Sequence, residues 1–129
     1  VDLHVEAMRA LGASIEYRNG YYFATSPGRL RGGEVTFPFV SVMGTENAIM
    51  AAVLAKGDTV VGHAACEPHI QDLCRFLVSL GARIHQIGSN VLHIEGVESL
   101  AAVCTRLARF IARPRGPYFI RCRVPALPT

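Results

Sequence analysis

The pentapeptide Leu11-Gly12-Ala13-Ser14-Ile15 returns as Leu80-Gly81-Ala82-Arg83-Ile84, 69 positions further along the chain. The likeness extends upstream as a pattern. Val1, Val5, Met8 and Leu11 are apolar, and so are Ile70, Cys74, Leu77 and Leu80. Steps of four, three and three mark one face of a helix. The repeat therefore predicts that Met8 and Leu77 occupy equivalent buried positions. Each copy then meets a Gly, the residue that best takes the left-handed conformation at a helix end. Alternating segments follow, Ser14 to Tyr17 and Arg83 to Gln86, each leading into a turn. The first turn, Asn19-Gly20, is a strong hairpin signal; the second is Gly88-Ser89-Asn90. Return strands are predicted over Tyr21 to Thr25 and Val91 to Glu95.

The segment between the copies completes the unit. Glu34 to Val42 reads as a strand, and Pro38 within it implies a sheet edge or a bulge. Thr45 is the predicted N-cap of a second helix, with Glu46 in its first turn. The apolar run Ala48 to Ala55 follows, and Lys56-Gly57 closes it. Asp58 to Val61 reads as a short strand, and Pro68 opens the next helix. Helices interleaved with strands in a repeated unit predict an α/β (α+β) domain built by internal symmetry. The central helix carries no charge from Ala48 to Ala55, so helices packed inside sheets fit better than helices outside them.

Composition excludes several classes. The chain has 129 residues, enough for one domain with a real core, and its longest apolar run falls far short of the roughly 18 residues of a membrane span. It opens on Val1 with no basic-then-apolar leader, as a processed product or a piece of something longer would. The net charge of +3 is misleading, because residues 1 to 100 hold seven Lys/Arg against ten Asp/Glu. The last 29 residues hold six Arg, four Pro and no acid. The basic balance thus belongs to the end of the chain, and neither nucleic acid nor membrane is an expected partner. The four cysteines form no C-x-x-C pair, which favours a reducing, cytoplasmic setting. His63, Cys66, His69 and Cys74 have ligand chemistry, but Cys74 falls on the apolar stripe of its helix, so no metal is expected.

Nucleotide-binding and hydrolase motifs are absent, which leaves one junction of interest, Phe39 to Asn47. Free backbone N–H groups at a helix start attract an anion, and Ser41 and Thr45 add hydroxyls. Here a resemblance emerges. Val1-Asp2-Leu3-His4, Leu11-Gly12-Ala13, Val40-Ser41-Val42 leading into Thr45-Glu46-Asn47-Ala48, Ala64-Ala65-Cys66-Glu67-Pro68-His69-Ile70 and Ile94-Glu95-Gly96-Val97 stand in the order and spacing of the UDP-N-acetylglucosamine 1-carboxyvinyltransferase family. The sister family, the 3-phosphoshikimate 1-carboxyvinyltransferases, shares its architecture.

The resemblance implies an inside-out α/β barrel of the enolpyruvyl transferase type, here a partial domain with repeated β-α-β-α-β-β units over 1–108. It implies transfer of the enolpyruvyl group of phosphoenolpyruvate to the 3-hydroxyl of UDP-N-acetylglucosamine, with no cofactor. By resemblance, Val1, Asp2, Leu3 and His4 hold the uridine nucleotide, and Val40, Ser41, Val42 and Met43 contact the diphosphate. Phe39 stands where many members have Lys, and Met43 where many have Gly, which removes a cation and narrows the approach to the backbone. The family's acid is a Cys on a loop upstream of the Val-Asp-Leu-His segment, so none of the four cysteines is assigned a catalytic role. This chain is expected to contribute UDP-sugar binding and to be inactive alone; the competing readings are a non-catalytic binding or interaction module that reuses the half-domain, and a 3-phosphoshikimate 1-carboxyvinyltransferase-like protein. Residues 109–129 match neither repeat nor family, and a shifted reading frame would produce their Arg/Pro-rich composition. They are expected to pack poorly on the domain.

Overall fold

The computed structural model describes residues 2–101; Val1 and the Arg/Pro-rich stretch of 109–129, with the boundary proposed at 108, lie outside them. The first helix, α1 (Asp2–Ala10), starts on an acid and ends beside a base, Asp2 and Arg9, as the helix dipole favours. A hairpin follows, β1 (Ser14–Arg18) and β2 (Tyr21–Thr25), paired antiparallel from Ser14↔Thr25 to Arg18↔Tyr21. Asn19 and Gly20 turn it with φ of 51° and 83°, the left-handed pair that matches strand twist. The rest is one unit: β3 (Glu34–Ser41), α2 (Val42–Ala52), β4 (Asp58–Ala64), α3 (Pro68–Ser79), β5 (Arg83–His85) and β6 (Val91–Glu95). This is the β-α-β-α-β-β order. Its sheet runs β3-β4-β6-β5, with β3 parallel to β4 across the α2 crossover and the other pairs antiparallel.

The repeat is written in the backbone. After α1, Gly12 N–H reaches the Arg9 carbonyl at 2.9 Å and Ala13 N–H the Met8 carbonyl at 3.0 Å. After α3, Gly81 N–H reaches Val78 and Ala82 N–H reaches Leu77, both at 3.0 Å. Both glycines take positive φ, 91° and 108°, so the two helices close with the same paired hydrogen bonds. Burial is less symmetric. Leu77 is buried as predicted, whereas Met8 is half-buried and α1 turns Ala7 inward instead. Ala7 is buried in the core on the helix that packs against α2.

The core forms around α2. Ala48, Ile49, Ala52 and Val53 are buried against Phe37, Val61, Ile70, Cys74, Leu92 and Ile94 from the sheet and α3. The apolar run predicted helices enclosed by sheets; among the described residues α2 buries one stripe in this core and leaves Met43 and Met50 exposed. Its boundaries differ from the sequence reading. Ser41, not Thr45, is the N-cap: its backbone is extended and its Oγ accepts from Gly44 N–H at 3.2 Å. Val42 is therefore helical, and Glu46 lies beyond the first turn. Thr45 is buried within the helix, its hydroxyl donating to the Ser41 carbonyl at 2.6 Å and accepting from Ala65 N–H at 3.0 Å. The helix also stops early, at Ala52. Arg29 explains the end: its guanidinium donates to the carbonyls of Leu54, Ala55 and Val97 at 2.9–3.1 Å, holding the chain in an open turn.

Pro38 has both predicted consequences. β3 is the edge strand, and its register with β4 breaks between Thr36 and Ser41. At the break, His63 takes a positive φ of 51°, and its Nδ1–H donates to the Phe37 carbonyl at 2.6 Å. The ring thereby supplies the hydrogen bond that the interrupted ladder leaves out. Among the described residues no helix is long and apolar enough to cross a membrane.

Candidate functional site

Three elements meet at one groove. The start of α1, the end of β3 and the start of α2 come together because β3 runs directly into α2 at Ser41 while α1 packs across both. The groove has a volume of about 420 Å³. Asp2, Leu3, His4 and Glu6 line it from α1; Pro38, Phe39 and Ser41 line it from the strand.

Four of the sequence-predicted residues, Asp2, Leu3, His4 and Ser41, thus share a single hollow although 37 positions separate His4 from Ser41. The others sit differently. Val40 is exposed beside the groove without lining it, Val42 is half-buried against the core, and Met43 is exposed on α2. Val1 lies outside the described residues. Sequence reading missed Glu6 and Pro38 as groove residues. Glu6 follows Asp2 by one helical turn, so the i, i+4 rule was its available signal. It also left Asn47 without a role. In the structure the Asn47 amide hydrogen-bonds His4 Nδ1, joining α2 to α1 directly behind the groove.

The electrostatics are those of a binding surface. The lining carries two carboxylates, an imidazole and a hydroxyl, with no Lys or Arg among the described lining residues. Phe39, 63% exposed, adds an aromatic ring to the lining. Positive potential comes from the opening turn of α2, whose first N–H groups have no partners within the helix save the one Ser41 takes. These groups can grip and orient a polar ligand, but no acid–base pair with a cationic clamp is assembled here.

The residues once weighed as metal ligands are dispersed. His63 is held on Phe37, Cys66 is exposed on the loop before α3, and Cys74 is fully buried in the core. Burial pushes the Cys74 thiol above its ordinary value, against a smaller lowering by Arg75. A second hollow, about 190 Å³, lies at the β4–β6–β5 end of the sheet, where His85 Nε2 meets Glu95 Oε2 at 3.3 Å. None of the residues predicted to bind substrate lines it.

Comparisons with known proteins bear on the family and the fold. A family profile described as EPSP synthase (3-phosphoshikimate 1-carboxyvinyltransferase) matches residues 1–107. The chain is 50% identical over 101 residues to the UDP-N-acetylglucosamine 1-carboxyvinyltransferase of Coxiella burnetii, covering 78% of this chain and 23% of that protein. It is 54% identical over 108 residues to the protein of that name from Sphingopyxis alaskensis, covering 83% and 25%. In fold it is similar to the enolpyruvyl transferase NikO of Streptomyces tendae, with a TM-score of 0.67 at 18% identity, over 78% of this chain and 26% of that one. An EPSP synthase from Acinetobacter baumannii gives a TM-score of 0.62 at 23% identity, over 78% and 23%. The chain spans about a quarter of the length of the curated relatives it matches.

Proposed function

This chain belongs to the EPSP synthase family of enolpyruvyl transferases, and from that premise we propose that it supplies the UDP-sugar-binding part of a UDP-N-acetylglucosamine 1-carboxyvinyltransferase. The observation that carries the reading is the convergence of Asp2, Leu3, His4 and Ser41 on one groove at the start of α2. The names of the 50–54% identical relatives favour this substrate over 3-phosphoshikimate, which rests on the family description alone.

The reaction defines what the groove does. The sugar 3-hydroxyl gives its proton to a base as its oxygen bonds to C2 of phosphoenolpyruvate, and the electron pair of the C2–C3 double bond takes a proton at C3. C3 then loses a proton as phosphate leaves C2, restoring the double bond. Holding the nucleotide end still lets the hydroxyl meet C2 in a fixed geometry, so binding far from the reacting atoms lowers the barrier. Ser41 and the first turn of α2 take the diphosphate, and Asp2, Leu3 and His4 take the nucleotide. Val40, Val42 and Met43 border that site. Phosphoenolpyruvate is a substrate of the complete enzyme; the cationic clamp it needs is not among these groove residues. A cytoplasmic setting suits this role and the free thiols of Cys66 and Cys74.

Calorimetry tests the reading. UDP-N-acetylglucosamine titrated into the chain is expected to give weak, saturable heat at millimolar concentration, reduced by Ser41→Ala and by Asp2→Asn. The same sample is expected to release no phosphate from phosphoenolpyruvate. Absence of heat with wild-type chain at millimolar nucleotide would remove the preformed groove from consideration, and turnover by the pure chain would overturn the binding-only role.

A further inference from the structure

We infer that Asn47 is a positioning residue: it fixes the tautomer of His4 so that the imidazole presents an Nε2–H donor to the oxygen-rich ligand of the groove. The inference deepens the nucleotide-binding reading above and rests on it for the identity of that ligand.

The geometry is specific. His4 lines the groove from α1, whereas Asn47 is absent from the lining and stands behind it on α2. The Asn47 amide nitrogen pairs with His4 Nδ1. An amide NH₂ can only donate, so Nδ1 is the acceptor and carries no hydrogen. A neutral imidazole then bears its one hydrogen on Nε2. Among the described residues Nε2 has no hydrogen-bond partner, and the ring is half-buried at the groove wall. A donor held in place by its other nitrogen, unpaired and on a residue that lines a cavity, is arranged to meet an acceptor.

The surroundings give this donor a purpose. The described lining holds the carboxylates of Asp2 and Glu6 and no Lys or Arg, so His4 is its one nitrogen-bearing side chain. A phosphate or carbonyl oxygen entering beside two carboxylates needs a directional donor. Ser41 Oγ already accepts from Gly44 N–H, which leaves its hydroxyl hydrogen as the only other side-chain donor on the strand side. A free imidazole would divide its hydrogen between the two nitrogens. The amide removes that choice before the ligand arrives, which lowers the ordering cost of binding.

The test reads the tautomer directly. Long-range proton–nitrogen spectra of the full chain, run where the ring is neutral, are expected to show His4 with Nε2 protonated and Nδ1 bare. Asn47→Leu, of similar size without the amide, is expected to return His4 to a mixture of tautomers. UDP titrated into the chain is expected to bind about fivefold more weakly to Asn47→Leu, the worth of one neutral hydrogen bond. His4→Gln places an amide N–H near the position of Nε2–H and is expected to keep most of the affinity. In that background Asn47→Leu is expected to add nothing, since the two residues act as one unit. A wild-type His4 protonated on Nδ1, or a tautomer indifferent to Asn47→Leu, overturns the inference. So does Asn47→Leu weakening UDP equally with and without His4. If UDP moves no groove resonance while His4 keeps its Asn47-dependent Nε2–H form, the nucleotide reading fails, and with it the ligand named here.

Discussion

Thr45 and Thr59 are both buried threonines, and their hydroxyls have opposite fates. Thr45 Oγ1 closes a relay from Ala65 N–H to the Ser41 carbonyl, tying the start of α2 to the end of β4. Thr59 Oγ1 is buried with no partner among the described residues. Removing the first hydroxyl strands a buried N–H; removing the second relieves an unpaired group. Thr45→Val is therefore expected to cost about 1–3 kcal/mol in urea unfolding, with Thr45→Ser retaining most of it. Thr59→Val, the same change of shape, is expected to stabilise by about 1 kcal/mol. Equal effects of the two substitutions would mean that the relay contributes nothing.

Among the elements, legibility in the sequence follows the range of the physics involved. The hairpins read clearly because Asn19-Gly20 and the apolar alternation are local, and both copies fall where the repeat places them. The helix ends before Gly12 and Gly81 read clearly for the same reason. The limits of α2 did not, since its start depends on which of two hydroxyls caps it and its end on Arg29, 25 positions from Leu54. At the groove, Asp2, Leu3, His4 and Ser41 were legible through family resemblance, whereas Asn47 depends on a contact 43 positions away. Burial on α1 is likewise set by its neighbours. Leu77 is 7% exposed, while its repeat equivalent Met8 is half-buried. Leu77→Ala is accordingly expected to cost about 2–5 kcal/mol, and Met8→Ala about 1 kcal/mol. Matching losses in denaturant titrations would show that the helices are packed more symmetrically than described.

At the scale of the whole fold, the clearest pH-dependent contribution among the described residues comes from the thiol at the centre of the core. Cys74 is fully buried against α2 and the sheet, and desolvation raises its titration above the ordinary thiol value despite Arg75 beside it. The sign follows from proton counting. Below the ordinary thiol value, folded and unfolded chains both keep the proton, so Cys74 adds no pH dependence. As pH rises past that value, the unfolded chain ionises first while the folded chain still holds its proton. The unfolded state then binds fewer protons, and stability falls with rising pH until the folded thiol also ionises. Cys66 is exposed on the loop before α3. Iodoacetamide followed by peptide mass mapping is expected to label Cys66 promptly in the folded chain and to spare Cys74 until denaturant is added. Cys74→Ala is expected to lower stability at neutral pH, through the small cavity left behind, and to flatten the alkaline loss. An alkaline unfolding profile that is unchanged in Cys74→Ala, or native-state labelling of both thiols at one rate, would show that the core around α2 admits solvent.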